Sequence, residues 1–120
     1  MGLAKVWSIS VFPILILSAL LPGCQNPTAG FNPNAAVSPT YTSISSEILV
    51  PACVGCHGGA GGYSFNSYAN TLASVVKGNP ASSPLYTSVK NGVMPKGGPA
   101  PSSAEVKAVY DWIADSARNN

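Results

Sequence analysis

The chain of 120 residues reads as an all-α protein of about four short helices, and three features predict that class. Near the C-terminus Ser102 and Glu105 form an S-x-x-E capping box, and Val106, Val109, Tyr110 and Ile113 follow at helical spacing. In the middle, Ser83 suits an N-cap, Pro84 the first helical position and Gly92 the left-handed residue beyond the end. No stretch shows the apolar and polar alternation of a strand with a matching partner.

Composition limits what those helices can do alone. Hydrophobic residues make up 46% of the chain and charged ones 8%, but the apolar share is concentrated at the N-terminus. After residue 23, Leu, Ile, Val and Phe supply only 17 of 97 positions. So thin a core needs a staple or a bound group to hold it. The formal charge is +2, or +1 once Lys5 is removed with the leader. With no basic cluster and no Gly-rich phosphate loop after a strand, nucleic acid is not an expected partner.

Residues 1–23 have the order of an export signal, with Lys5 as the positive region and Val6 to Leu21 as an apolar stretch too short to span a membrane comfortably. The end of this leader, Leu21-Pro22-Gly23-Cys24, resembles a bacterial lipobox, although Pro22 is not the usual residue there. That resemblance implies that Cys24 becomes the lipidated first residue of the mature chain. Several acyl chains, at roughly 0.8 kcal/mol per buried methylene, would then anchor it stably to a membrane. Residues 24–41 are rich in Asn, Pro, Thr and Ser with no apolar period, and are expected to be a disordered tether. Its r.m.s. reach is about 20 Å.

Residues 42–120 form the predicted globule. A first helix is expected over Ser43 to Val50, capped by Thr42 or Ser43, with Ile44 and Ile48 on one face and Pro51 stopping or kinking it. A second is expected from Tyr68 to Lys77, capped by Ser67 and closed by Gly78, with Leu72, Val75 and Val76 as its buried stripe. Leu85, Tyr86 and Val89 mark the inward face of the third, leaving Lys90 in solvent. On the last helix Trp112 lies off the main stripe and is expected at the margin of the core. Glu47, Glu105, Asp111 and Asp115 read as solvated charges, so no general acid or base is available.

Between the first two helices stands Cys53-Val54-Gly55-Cys56-His57. Two thiols three residues apart lie on one face of a helical turn and can reach the two vinyl groups of one porphyrin edge. The adjacent imidazole can then meet the iron. The pattern is that of covalent c-type haem attachment, with Cys53 and Cys56 as thioethers and His57 as the proximal ligand. A zinc site would need four soft ligands, and a thioredoxin-like dithiol a preceding strand, neither of which the chain supplies well. His57 is the only histidine, and Met1 leaves with the leader. Met94, in the Gly- and Pro-rich loop Val93-Met94-Pro95-Lys96-Gly97-Gly98-Pro99, is therefore the methionine able to close the other face of the iron.

The order of parts, from short helix through C-x-x-C-H and a Leu-Tyr helix to a Gly-Val-Met-Pro loop and a capped helix with Trp-Ile, resembles the class I monohaem cytochromes c of bacteria. The likeness spans Ser43 to Ala117. It implies a small cytochrome c-like fold around one covalent haem c, with the first and last helices packed across each other. It also implies that Cys53, Cys56, His57 and Met94 keep their family roles. Many members have a proline carbonyl shortly after the motif that accepts the ring N–H of the proximal histidine. Here no proline follows until Pro80, and the acceptor is left open.

With both axial positions filled, the expected function is electron transfer between a donor and an acceptor protein, not catalysis. The protein would act on the periplasmic side of a bacterial membrane, held by its lipid. Gln25 after Cys24 resembles sorting to an outer membrane. The rival reading is a five-coordinate haem that senses a small gas or acts as a weak peroxidase. Because the apolar core is thin, the haem-free chain is expected to melt without a cooperative transition, and the haem-loaded chain with one. Calorimetry of the two forms checks this, and a sharp haem-free transition would contradict it.

Overall fold

The computed structural model describes residues 30–59 and 62–120. The leader, Cys24 and the first residues of the expected tether lie outside that set. Helices α1 to α5 cover Tyr41–Ile44, Val54–His57, Tyr68–Thr71, Pro84–Lys90 and Ser103–Ala114. The segment Ser45–Cys53 between α1 and α2 is itself helical, with the wider π geometry. Helices α1 and α2 and the segment between them thus make one helical run, so with α3, α4 and α5 the described residues hold four helices besides short 3₁₀ turns, and no strand is found among them. No helix among the described residues is long and apolar enough to cross a membrane.

The first helix starts earlier and runs further than its sequence pattern suggests. Its N-cap is Thr40, whose hydroxyl accepts from the Ser43 amide, and not Thr42 or Ser43. Pro51 neither ends nor breaks the run. A proline has no N–H to give the carbonyl four residues back. Here the surrounding turns use the wider spacing, as in the bond from the Val54 amide to the Leu49 carbonyl. The helix therefore continues through Pro51 into the C-x-x-C-H residues.

The core lies between this run and α5. Ile44, Ile48 and Leu49 are buried from one side and Val109, Trp112 and Ile113 from the other. The C-terminus closes the contact: the Thr42 amide donates to the Asn120 carbonyl at 2.9 Å, and the Thr42 hydroxyl to the same oxygen at 2.8 Å. The crossing of first and last helices implied by the family likeness is thus present.

On α5 the capping box forms as expected. The Glu105 amide donates to Ser102 Oγ at 3.3 Å, and the Ser102 amide donates to Glu105 Oε2 at 2.7 Å. Two expectations for this helix are corrected. Trp112, expected at the margin, is 1% exposed, whereas Tyr110, placed on the stripe, is 44% exposed. The reason is the chain beyond the helix. Ser116 and Ala117 take positive φ and fold the end back, so that Trp112 Nε1 donates to the Arg118 carbonyl at 2.8 Å. Glu105 is not a solvated charge but fully buried, drawn in by its own cap.

Two more corrections concern the remaining segments. The second helix ends at Thr71, followed by a 3₁₀ turn over Leu72–Ser74, and does not reach Lys77. Its buried positions are Thr71 and Ser74, whose hydroxyls donate to the Ser67 and Thr71 carbonyls, while Val76 is exposed. The tether also ends sooner than residue 41, because Phe31 is buried in the core and Val37 packs on it. Ser83 does precede α4, but its hydroxyl serves elsewhere. It accepts from the Val76 amide and donates to the Asn79 carbonyl, both at 2.8 Å.

These placements set a mutational contrast. Trp112→Ala in the haem-loaded protein should cost about 3–5 kcal/mol, while Tyr110→Ala should stay within about 1 kcal/mol. Urea unfolding of both variants measures the difference, and equal losses would place the core on the wrong face of α5.

Candidate haem site

His57 closes the helical run that began at Tyr41, so its position is set by the packing of that run on α5. The carbonyl of Tyr63 lies 3.1 Å from its Nδ1. A carbonyl oxygen has no proton to give, so Nδ1 must carry the hydrogen, and the lone pair is left on Nε2. The acceptor left open by the missing proline is therefore Tyr63. It comes within reach because the chain after the glycines folds back, with the Phe65 amide donating to the His57 carbonyl at 2.9 Å. The Phe65 ring stands edge-on to the imidazole at 5.3 Å between centroids and limits its tilt.

Met94 reaches the same place from the other half of the molecule. Helix α4 is anchored by buried Leu85 and Val89, and its end is turned by Gly92 at φ +69. The Val93 and Met94 amides then both donate to the Ser88 carbonyl, at 3.0 and 3.2 Å. One carbonyl on α4 thus fixes the start of the loop. His57 and Met94 line one cleft of about 200 Å³, with Phe65, Leu85 and Val89 among its apolar walls. The hydroxyl-bearing residues Ser74 and Ser88 add the polar part of the lining.

The donor set fits a haem iron: one imidazole with a free Nε2 and one thioether facing a shared apolar cleft. The enclosed volume is below the roughly 300–1,000 Å³ of ordinary ligand pockets. A porphyrin would therefore leave an edge in solvent or draw back the loop that carries Met94. Among the described residues, no group of three or more Cys, His, Asp or Glu side chains is placed to hold a metal ion.

The two cysteines of the motif are not equivalent. Cys53 is a buried free thiol, with Sγ 3.9 Å from the Ile48 carbonyl. Burial pushes its pKa from 9.0 up to about 12, so it stays a neutral thiol at physiological pH. Cys56, one helical turn on, is half-buried. Cys24 lies outside the described residues.

Compared with known families, residues 45–113 match the model described as "Cytochrome C oxidase, cbb3-type, subunit III", a match over more than half of the chain. No curated protein and no solved structure matches it.

The turn that delivers Met94 can be probed at Gly92. Gly92→Ala places a side chain in left-handed backbone and should cost about 1 kcal/mol. Gly59→Ala, where an added Cβ meets nothing and φ is not positive, should cost less. Urea unfolding of the two variants gives the comparison, and no difference between them would show that the Gly92 turn is not held.

Proposed function

The chain belongs to the cytochrome c domain family described as cytochrome c oxidase, cbb3-type, subunit III, and from that premise we propose how its residues carry an electron. Members of this family are electron carriers that bind haem c and exchange electrons with redox partner proteins, and are not enzymes. Our reading adds that this chain carries one covalent haem with His57 and Met94 as axial ligands. The observation that supports it is the cleft these two residues share, entered by one from α2 and by the other from the loop after α4.

Haem bound there would supply reversible one-electron exchange between ferric and ferrous iron. Cys53 and Cys56 would hold it by thioethers, each formed when a thiol adds across a vinyl group. The Tyr63 carbonyl keeps Nδ1 of His57 protonated and the lone pair on Nε2, which strengthens the imidazole as a donor. Met94 offers a neutral thioether, which favours the ferrous state and raises the potential. Phe65, Leu85 and Val89 give the site apolar walls, which would lessen the solvent reorganisation that accompanies a change of charge. With His57 and Met94 both engaged, the site would leave no position for a small gas.

The leader and the lipobox-like Leu21-Pro22-Gly23-Cys24 support a further part of the same reading: export, followed by anchoring of the globule to a bacterial membrane through lipid on Cys24.

The test is made on protein exported by a host able to attach haem. Intact mass should show one haem and the lipid, and the ferric form should show the far-red band of iron–sulfur ligation. Met94→Ala should remove that band and admit carbon monoxide. It should also lower the potential by on the order of 0.1 V or more, within the roughly 0.8 V that axial ligands span. A colourless product, or a wild-type protein that binds carbon monoxide readily, would overturn the proposal.

A further inference from the structure

Behind the wall of the haem cleft lies a second depression, a groove of about 600 Å³ between α4 and α5. Its surface combines Tyr86, Val89, Lys90, Pro101, Lys107 and Tyr110. Val89 lines both this groove and the haem cleft. The mechanism above uses none of the other five.

The chemistry of the groove is specific. It has two lysines and no carboxylate in its lining. Lys107 is paired with Asp111 one turn on. Lys90 forms no ion pair among the described residues, and its Nζ stands 5.5 Å from the centre of the Tyr86 ring. The rings of Tyr86 and Tyr110 meet edge to face at 5.3 Å, and Tyr110 remains largely open to solvent. An exposed Tyr110 beside half-buried Tyr86, with the unpaired Lys90 at hand, favours a negatively charged occupant that brings an apolar or aromatic anchor.

Two occupants from the chain itself are poor matches. Residues 1–29 contain one lysine and no acidic residue, so they offer nothing to Lys90. A second copy has few carboxylates to give: Asp111 and Asp115 are held by Lys107 and Arg118, and Glu105 is buried, which leaves Glu47. We propose that this groove docks an acidic segment of a redox partner protein, with an aromatic side chain packed on the exposed face of Tyr110 and a carboxylate on Lys90. The partner's identity as a redox protein rests on the electron-carrier reading above; the groove's preference for an acidic aromatic segment does not. Docked there, a partner sits on a groove that shares Val89 with the haem cleft.

The experiment uses the haem-loaded, reduced protein and a synthetic peptide with one phenylalanine between two pairs of glutamates. Amide shifts by NMR should cluster on residues 86–90 and 101–110. The affinity should fall on the order of tenfold between about 0.01 and 0.15 M salt. Lys90→Glu should abolish the shifts, and Tyr110→Ala should weaken binding several-fold. Both variants should keep the visible spectrum of the parent, which separates this question from that of haem ligation. A peptide with lysines in place of the glutamates should not bind. The proposal fails if the acidic peptide causes no shifts, or shifts residues around Phe65 and Met94 instead. It also fails if vesicles of anionic lipid perturb the groove while the peptide does not, or if the same shifts appear on concentrating the protein alone.

Discussion

The contact between the first helical run and α5 is the constraint on which the rest depends. Ile44, Ile48 and Leu49 meet Val109, Trp112 and Ile113 there, and the backbone of Asn120 is bonded to Thr42 across the same seam. His57 is placed by this contact because it ends the run that the contact holds. Met94 is placed through it at one remove, since α4 packs on α5 and the Ser88 carbonyl of α4 secures the Met94 loop. Two ligand candidates 37 positions apart in sequence are thus brought to one cleft by a single helix crossing.

What could be read from sequence was mostly what local rules decide. The Ser102 and Glu105 box and the Ser67 cap each involve residues three apart, and both appear in the fold. Trp112 shows where such rules stop. Helical periodicity puts it off the stripe, but the chain after α5 folds back over it and supplies the Arg118 carbonyl for its indole. The same is true of Phe31, an isolated apolar residue in a stretch with the composition of a linker. Only the tertiary contact shows that it belongs to the core. Glu105 is a further case: its place in the capping box is legible in the sequence, but the burial that this role entails is not.

The site divides along similar lines. His57 and Met94 could be found by motif and by counting, because ligand chemistry is written in side chains. The acceptor for the His57 ring could not, because every residue has a carbonyl and nothing in Tyr63 marks its own. The Ser88 carbonyl that receives two amides of the Met94 loop is hidden for the same reason. The differing burial of Cys53 and Cys56 is equally unreadable: the motif treats the pair as equals, whereas burial is a property of the folded chain.

Fold and site also depend on each other in the opposite direction. Helix α3 has four residues and α4 seven, far below the length at which a helix persists alone in water. Their order must come from tertiary contacts, and the apolar residues available for such contacts are few. The cleft between Phe65, Leu85 and Val89 is a gap in that sparse core, and a gap lined by apolar groups forgoes packing energy. A macrocycle filling it would gain contacts with both the half that carries His57 and the half that carries Met94. Cofactor binding and the ordering of these short helices are therefore one equilibrium, in which whatever stabilises the ligated iron also stabilises the fold.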